Sequence, residues 1–174
     1  RTNREDPDAY NRRGALYLEQ EQYEDARTDF DMAISCDSTF IAGYFNRALT
    51  YSYLRRPVEA IADFGRVLDL DSTSALGYFN RAIVRSEIGD YNRALEDFNK
   101  VARYSPDNVL LYYNRAMLHT RLGNIDSAIE DYTRSIELYP DFANAYLGRG
   151  YLRRYKRDIR GAESDEKIAE RKIA

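Results

Sequence analysis

One five-residue phrase recurs along this chain: Tyr44-Phe45-Asn46-Arg47-Ala48, Tyr78-Phe79-Asn80-Arg81-Ala82 and Tyr112-Tyr113-Asn114-Arg115-Ala116, each copy 34 residues after the last. The frame extends back to Tyr10, Arg13 and Gly14 and forward to Tyr146, Arg149 and Gly150. Ala26, Ala60, Ala94, Ala128 and Ala162 keep the same step, as do Asp29, Asp63, Asp97, Asp131 and Asp165. Aromatics follow the Asp at Phe30, Phe64, Phe98 and Tyr132. No insertion breaks the register across five copies. A repeat held at so many independent positions restricts the fold to one supersecondary unit used again and again.

Each unit reads as two helices. Tyr44, Arg47, Ala48 and Tyr51 stand at the i, i+3, i+4, i+7 spacing of a helical stripe. The pattern breaks at Leu54-Arg55-Arg56-Pro57, where Pro57 suits the first turn of a new helix. Other units break at Gly89-Asp90 and Gly123-Asn124, residue types that accept a left-handed helix end. The second stripe is Ala60, Ile61, Phe64, Val67 and Leu68; Ser105-Pro106-Asp107 and Tyr139-Pro140-Asp141 mark the close of later units. The reading predicts first helices over 8–20, 41–54, 75–88, 109–122 and 143–156, and second helices over 23–36, 57–70, 91–104, 125–138 and 159–172.

The 34-residue period, the Gly or Ala inside the first helix and the Ala–aromatic pair of the second resemble the tetratricopeptide repeat (TPR), in the style of bacterial arrays. The resemblance implies an all-α, right-handed superhelical solenoid of five helix-turn-helix units whose first helices line a concave surface. It spans 7–174, with repeats at about 7–40, 41–74, 75–108, 109–142 and 143–174, after a polar N-terminal segment 1–6. That segment lacks Met and reads as a processed or excised start. Three features depart from the family: Arg precedes the mid-helix Gly or Ala in every unit, Ser38 and Ser72 stand where Pro often closes a unit, and Glu166 replaces the aromatic of the fifth. The charged final helix reads as a polar cap or a cut end.

Composition narrows the function. A net charge of −3 argues against a nucleic-acid binder or a binder of anionic membranes. One Cys, Cys36, and one His, His119, leave no disulfide within the chain, no Cys-based or multi-His metal site and no acid–base–nucleophile set. No enzyme activity, metal or cofactor is expected. His119 falls where Tyr17, Tyr51, Arg85 and Arg153 stand, a slot for packing rather than catalysis. Cys36 matches Leu70, Tyr104 and Leu138 and is expected to be a small buried thiol. The glycines are read as helix-end residues, with no phosphate loop among them.

Two series remain. Arg13, Arg47, Arg81, Arg115 and Arg149 each precede Asp29, Asp63, Asp97, Asp131 and Asp165 by 16 residues. An Arg in an apolar stripe needs a partner, so the series is read as a structural ladder, paired within a unit or, as with Arg81 and Asp63, with the unit before. A ligand role is the other reading.

In the family, positions two, five, nine, twelve and thirteen of each unit face the groove. Here they include Leu76 and Leu110; Phe45, Phe79 and Tyr113; Leu49, Ile83 and Met117. The family's carboxylate clamp, Lys at five and Asn at nine, is absent. What remains is an apolar and aromatic trough with Asn46, Asn80 and Asn114 beside it, able to pair with a peptide backbone. The expected function is a scaffold that binds a peptide or protein segment. The alternative is a self-associating scaffold, a homo-oligomer whose groove or array ends pair with another copy. Sequence leaves the partner and the compartment open.

Overall fold

A computed structural model describes residues 6–174, and the expected polar start, Arg1 to Glu5, lies outside the described residues. Among the described residues there are helices and no strands: α1 (Pro7–Glu19), α2 (Tyr23–Cys36), α3 (Ile41–Tyr53), α4 (Pro57–Leu70), α5 (Ala75–Glu87), α6 (Tyr91–Tyr104), α7 (Val109–Arg121), α8 (Ile125–Leu138), α9 (Ala143–Tyr155) and α10 (Ile159–Ile173). All five first helices end one residue earlier than the periodicity predicts. Their last carbonyls are taken up by a tight turn instead of another helical residue.

That turn repeats with the sequence. Glu21, Arg55, Gly89, Gly123 and Arg157 all have positive φ, between 60° and 83°. The amide after each reaches back five residues, from Gln22 to the Tyr17 carbonyl (2.8 Å) and from Asp90 to that of Arg85 (2.8 Å). This is a Schellman ending, and it satisfies carbonyls that the helix itself leaves open. Only Gly89 and Gly123 are the conformationally free residue for it. The other glycines are not at turns: Gly43 and Gly77 lie inside helices, where a Cβ would sit 3.1 Å from Ile34 Cγ1 and 3.1 Å from Leu68 Cδ2. They permit close helix approach rather than a bend.

The chain divides into two compact units, one up to Lys100 and one from Val101. In the first, α1 packs on α2, α2 on α3, α3 on α4 and α4 on α5. Its core includes Ala48, Ala60, Phe64 and Val84. In the second, α7 packs on α8, α8 on α9 and α9 on α10, around Ala116, Ala128, Tyr132, Ala145 and Leu152. The alanines at the hairpin crossings are fully buried, because a methyl lets two backbones close while an aromatic one turn away fills the space beside them.

Tyrosines tie α3, α5, α7 and α9 to the turn before each. The hydroxyls of Tyr44, Tyr78, Tyr112 and Tyr146 donate to the carbonyls of Ser38, Ser72, Pro106 and Pro140, six residues back, at 2.7–3.0 Å. The repeated Tyr is therefore amphipathic in use: its ring packs and its hydroxyl closes a loop.

Candidate functional site

Each ladder Arg meets the Asp of its own hairpin. Nε and Nη2 donate to the two carboxylate oxygens in a fork, at 2.7–3.0 Å, for Arg13–Asp29, Arg47–Asp63, Arg81–Asp97, Arg115–Asp131 and Arg149–Asp165. The five carboxylates are buried. The fork fixes one hairpin's two helices against each other. Connection between hairpins comes from the remaining nitrogen: Arg47 Nη1 donates to Asp31 at 2.9 Å, and Arg149 Nη1 to Thr133 at 3.1 Å. Hydrogen bonding to Asp63 raises the Arg47 pKa further above its ordinary value, against the opposing effect of burial.

A second row of cations escapes a reading by sequence. Arg85 donates to Asp97 at 2.8 Å and Arg153 to Asp165 at 3.0 Å, so these carboxylates are held from two sides. His119 takes the same place beside Asp131, with Nε2 at 3.8 Å, while Nδ1 lies 3.2 Å from Asn124 Nδ2. Burial lowers the His119 pKa; Asp131 opposes that and Arg115 reinforces it. The slot alternates Tyr17, Tyr51, Arg85, His119 and Arg153, and nothing in that variety marks a shared acceptor. A fit between the cationic members and the Asp twelve residues on was the available signal. Cys36 is half-buried rather than buried, because its place is the last residue of α2.

The predicted groove residues fall on the first helices. In the first unit, α3 and α5 carry Phe45, Asn46, Leu49, Leu76, Phe79, Asn80 and Ile83. Phe45 and Phe79 are half-buried, each set edge-on against the core aromatic of its own hairpin, Phe64 at 5.7 Å and Phe98 at 6.0 Å between centroids. They are not free rings on a wall. Leu76 is 63 % exposed. Two depressions lie here. One of about 390 Å³ is lined by Ile41, Phe45, Asn46, Val67 and Leu76. The other, of about 490 Å³, includes Leu49, Tyr53, Asn80, Ile83 and, at its rim, Arg55 and Glu87.

The asparagines are differently engaged. Asn80 Nδ2 donates to the Leu76 carbonyl at 2.9 Å, whereas Asn46 Nδ2 crosses to Asn11 Oδ1 of α1 at 2.9 Å. In the second unit, Asn114 Nδ2 donates to the Leu110 carbonyl at 2.7 Å. Tyr113 lies edge-on to Tyr132 (5.9 Å) and 4.6 Å from Phe142, while Leu110 and Met117 on α7 stand exposed. On α9, Leu147 and Tyr151 continue the same repeat positions and are also exposed. Burial pushes the Tyr132 phenol up to about 12. Among the described residues no group of His, Cys, Asp and Glu is arranged to hold a metal ion, and no helix is long and apolar enough to cross a membrane.

The tetratricopeptide repeat family matches the chain over residues 7–40, 41–74, 75–108 and 109–142. The chain belongs to the tetratricopeptide repeat family. Its fold is the all-α TPR solenoid, and α9 and α10 add a hairpin of the same kind after the last matched repeat. No curated protein sequence matches significantly. Solved TPR structures do match in fold. A MamA structure aligns with a TM-score of 0.87 at 22 % identity, over 92 % of this chain and 94 % of that one. MamA 41-end from Desulfovibrio magneticus RS-1 aligns with a TM-score of 0.88 at 16 % identity, over 96 % and 94 %. YrrB, described as a TPR protein with an unusual peptide-binding site, aligns at 0.80 and 20 % identity, over 97 % and 87 %.

Proposed function

We propose that this TPR chain is a protein-interaction module that receives a peptide or protein segment on the faces of its first helices. The observation that carries the reading is the mainly apolar depression between α3 and α5 lined by Ile41, Phe45, Val67 and the largely exposed Leu76, with a second depression of mixed lining beside Leu49, Asn80 and Ile83. Exposed aliphatic side chains beside fixed aromatic rings are what an interface uses as anchors. The asparagine side chains contribute acceptors: with Nδ2 of Asn80 and Asn114 tied to their own helices, Oδ1 remains for a backbone N–H of the bound segment. YrrB, with the same fold, is described as peptide-binding, which supports the reading by analogy of fold alone.

The test compares wild type with Leu76→Asp as affinity baits, read by mass spectrometry, with light scattering of both to give their mass. Partners retained by wild type and lost from the variant, at equal helicity, support the reading. Equal capture by both places binding on another surface. A mass that doubles in wild type and not in Leu76→Asp makes a second copy of the chain the occupant.

A further inference from the structure

A third nitrogen of the ladder Arg links consecutive hairpins. Asp31 on α2 accepts from Arg47 Nη1 of α3, and Thr133 on α8 accepts from Arg149 Nη1 of α9; each acceptor precedes its Arg by 16 residues. The same step back from Arg81 leads to Gly65, inside α4. α4 packs on α5 as α2 packs on α3: the Cβ position of Gly77 lies 3.1 Å from Leu68 Cδ2, and that of Gly43 lies 3.1 Å from Ile34 Cγ1. The register is therefore the same, and Gly65 brings no side-chain acceptor to it. A Cβ added at Gly65 would meet no atom within 4 Å. Nε and Nη2 of Arg81 are committed to Asp97, and Nη1 has no hydrogen-bond partner among the described residues.

Charge at this junction does not balance. Arg81 and Arg85 share one carboxylate, Asp97, and their side chains are only 18 % and 15 % exposed. One junction earlier, Arg47 alone is met by two carboxylates, Asp63 and Asp31. In the fifth hairpin Arg149 and Arg153 share Asp165, but Asp158 stands 4.0 Å from Arg153. Asp90 has the place of Asp158 in the third hairpin, and it lies 3.9 Å from Arg93 instead. Asp69, one turn beyond Gly65 on α4, faces Arg66 at 3.4 Å. One guanidinium charge, mostly withdrawn from water, is thus in excess where the preceding junction holds a carboxylate.

We propose that the notch over Gly65, between α4 and α5, binds a small free oxyanion, a carboxylate or a phosphate, that accepts from Arg81 Nη1 as the Asp31 carboxylate does from Arg47. The donor sets the class: a guanidinium nitrogen only donates, and a hydrogen bond from it is strongest to an ionised oxygen. A neutral acceptor serves Arg149, where Thr133 completes a hairpin that Asp158 already balances. At Arg81 a neutral acceptor would satisfy the hydrogen bond and leave the charge excess in place.

The test sets wild type beside Gly65→Asp, which supplies the carboxylate from the chain itself. Nothing lies within 4 Å of the added Cβ and Asp31 fills the same place in the first hairpin, so the variant keeps its fold, with circular dichroism as the check. Thermal midpoints of both proteins are followed as chloride is exchanged for inorganic phosphate, and separately for acetate, at constant ionic strength. The expected result is a saturable rise of about 2–4 °C in wild type, beyond any change it shares with Gly65→Asp. The anion that acts at the lower concentration is the class the notch prefers. An equal rise in both proteins is a general salt effect and overturns the proposal. No rise in wild type at about 50 mM of either anion overturns it as well.

Discussion

Arg81 holds Asp97 with two parallel hydrogen bonds, Nε to Oδ2 at 2.9 Å and Nη2 to Oδ1 at 2.8 Å, from α5 to α6 within one hairpin. Arg85, one turn further on, adds a third to Oδ2 at 2.8 Å. The carboxylate is buried and answered from two sides. Removing one partner of such a group leaves a charge in a poorly hydrated place, which costs more than the pair contributes.

Asp97→Leu is therefore expected to destabilise by about 3 kcal/mol in urea unfolding, since two cations lose their acceptor. Arg81→Leu costs less, because Arg85 still serves Asp97. Arg81→Leu with Arg85→Leu costs more than the two single changes together, as the carboxylate is then uncompensated. A double-mutant cycle between Arg81 and Asp97 gives a coupling on the order of 1–3 kcal/mol, and one between Arg81 and Asp63 gives none.

The turn between the helices of each hairpin offers a gain. Arg55 occupies left-handed backbone, φ 62°, which a side chain disfavours. Arg55→Gly is expected to raise the thermal midpoint, a stabilisation of up to about 1 kcal/mol after glycine's larger unfolded-state entropy is subtracted. Gly89→Ala, at φ 83°, is expected to lower it by about 1 kcal/mol or more.

Half-burial of the aromatic row makes it part of the fold as well as of the surface. Phe98→Ala removes a ring that is 1 % exposed and is expected to cost about 3–5 kcal/mol. Phe79→Ala removes a ring with one side on Phe98 and one toward solvent, and is expected to cost about 1–2 kcal/mol. Equal losses in chemical denaturation would make Phe79 a core residue.

Acid destabilises the second unit through His119. Its folded-state pKa lies below the ordinary 6.5 because burial disfavours the imidazolium. Between the two values the unfolded chain binds the proton and the folded one does not, so stability is complete above about pH 6.5 and falls as the pH drops through the folded-state pKa. The chain has one His. The difference between the urea midpoints of wild type and His119→Gln, followed from about pH 8 to pH 5.5, isolates it: wild type loses ground to the variant on acidification.

The repeat was legible in the sequence because a 34-residue step is tested by many residues at once, and the two-helix unit follows from stripes such as Ala60, Ile61, Phe64 and Val67. The spacing of Arg and Asp announced a pair, but not its direction, since an Arg side chain can reach the second helix of its own hairpin and that of the one before, as Arg47 does with Asp63 and Asp31. Geometry supplied the rest. Arg85 and His119 each stand beside the Asp of their own hairpin, a shared place that their different chemistry disguises. Phe79 looks like a groove residue by position, yet helix spacing decides how much of its ring Phe98 covers. Glu21, Arg55 and Arg157 adopt left-handed backbone where only Gly89 and Gly123 advertise it.

The most direct measurement of the binding claim starts from peptides selected on the wild-type chain out of a random library. Each is titrated by calorimetry against wild type, Leu76→Asp, Leu110→Asp and the second-helix control Glu130→Ala, an exposed residue of α8. Selected peptides are expected to carry aliphatic or aromatic anchors and to lose at least about tenfold in affinity to Leu76→Asp or Leu110→Asp, while Glu130→Ala binds as wild type does. A selection that enriches no peptide, or peptides that bind all four proteins alike, would contradict a binding site on the first-helix faces.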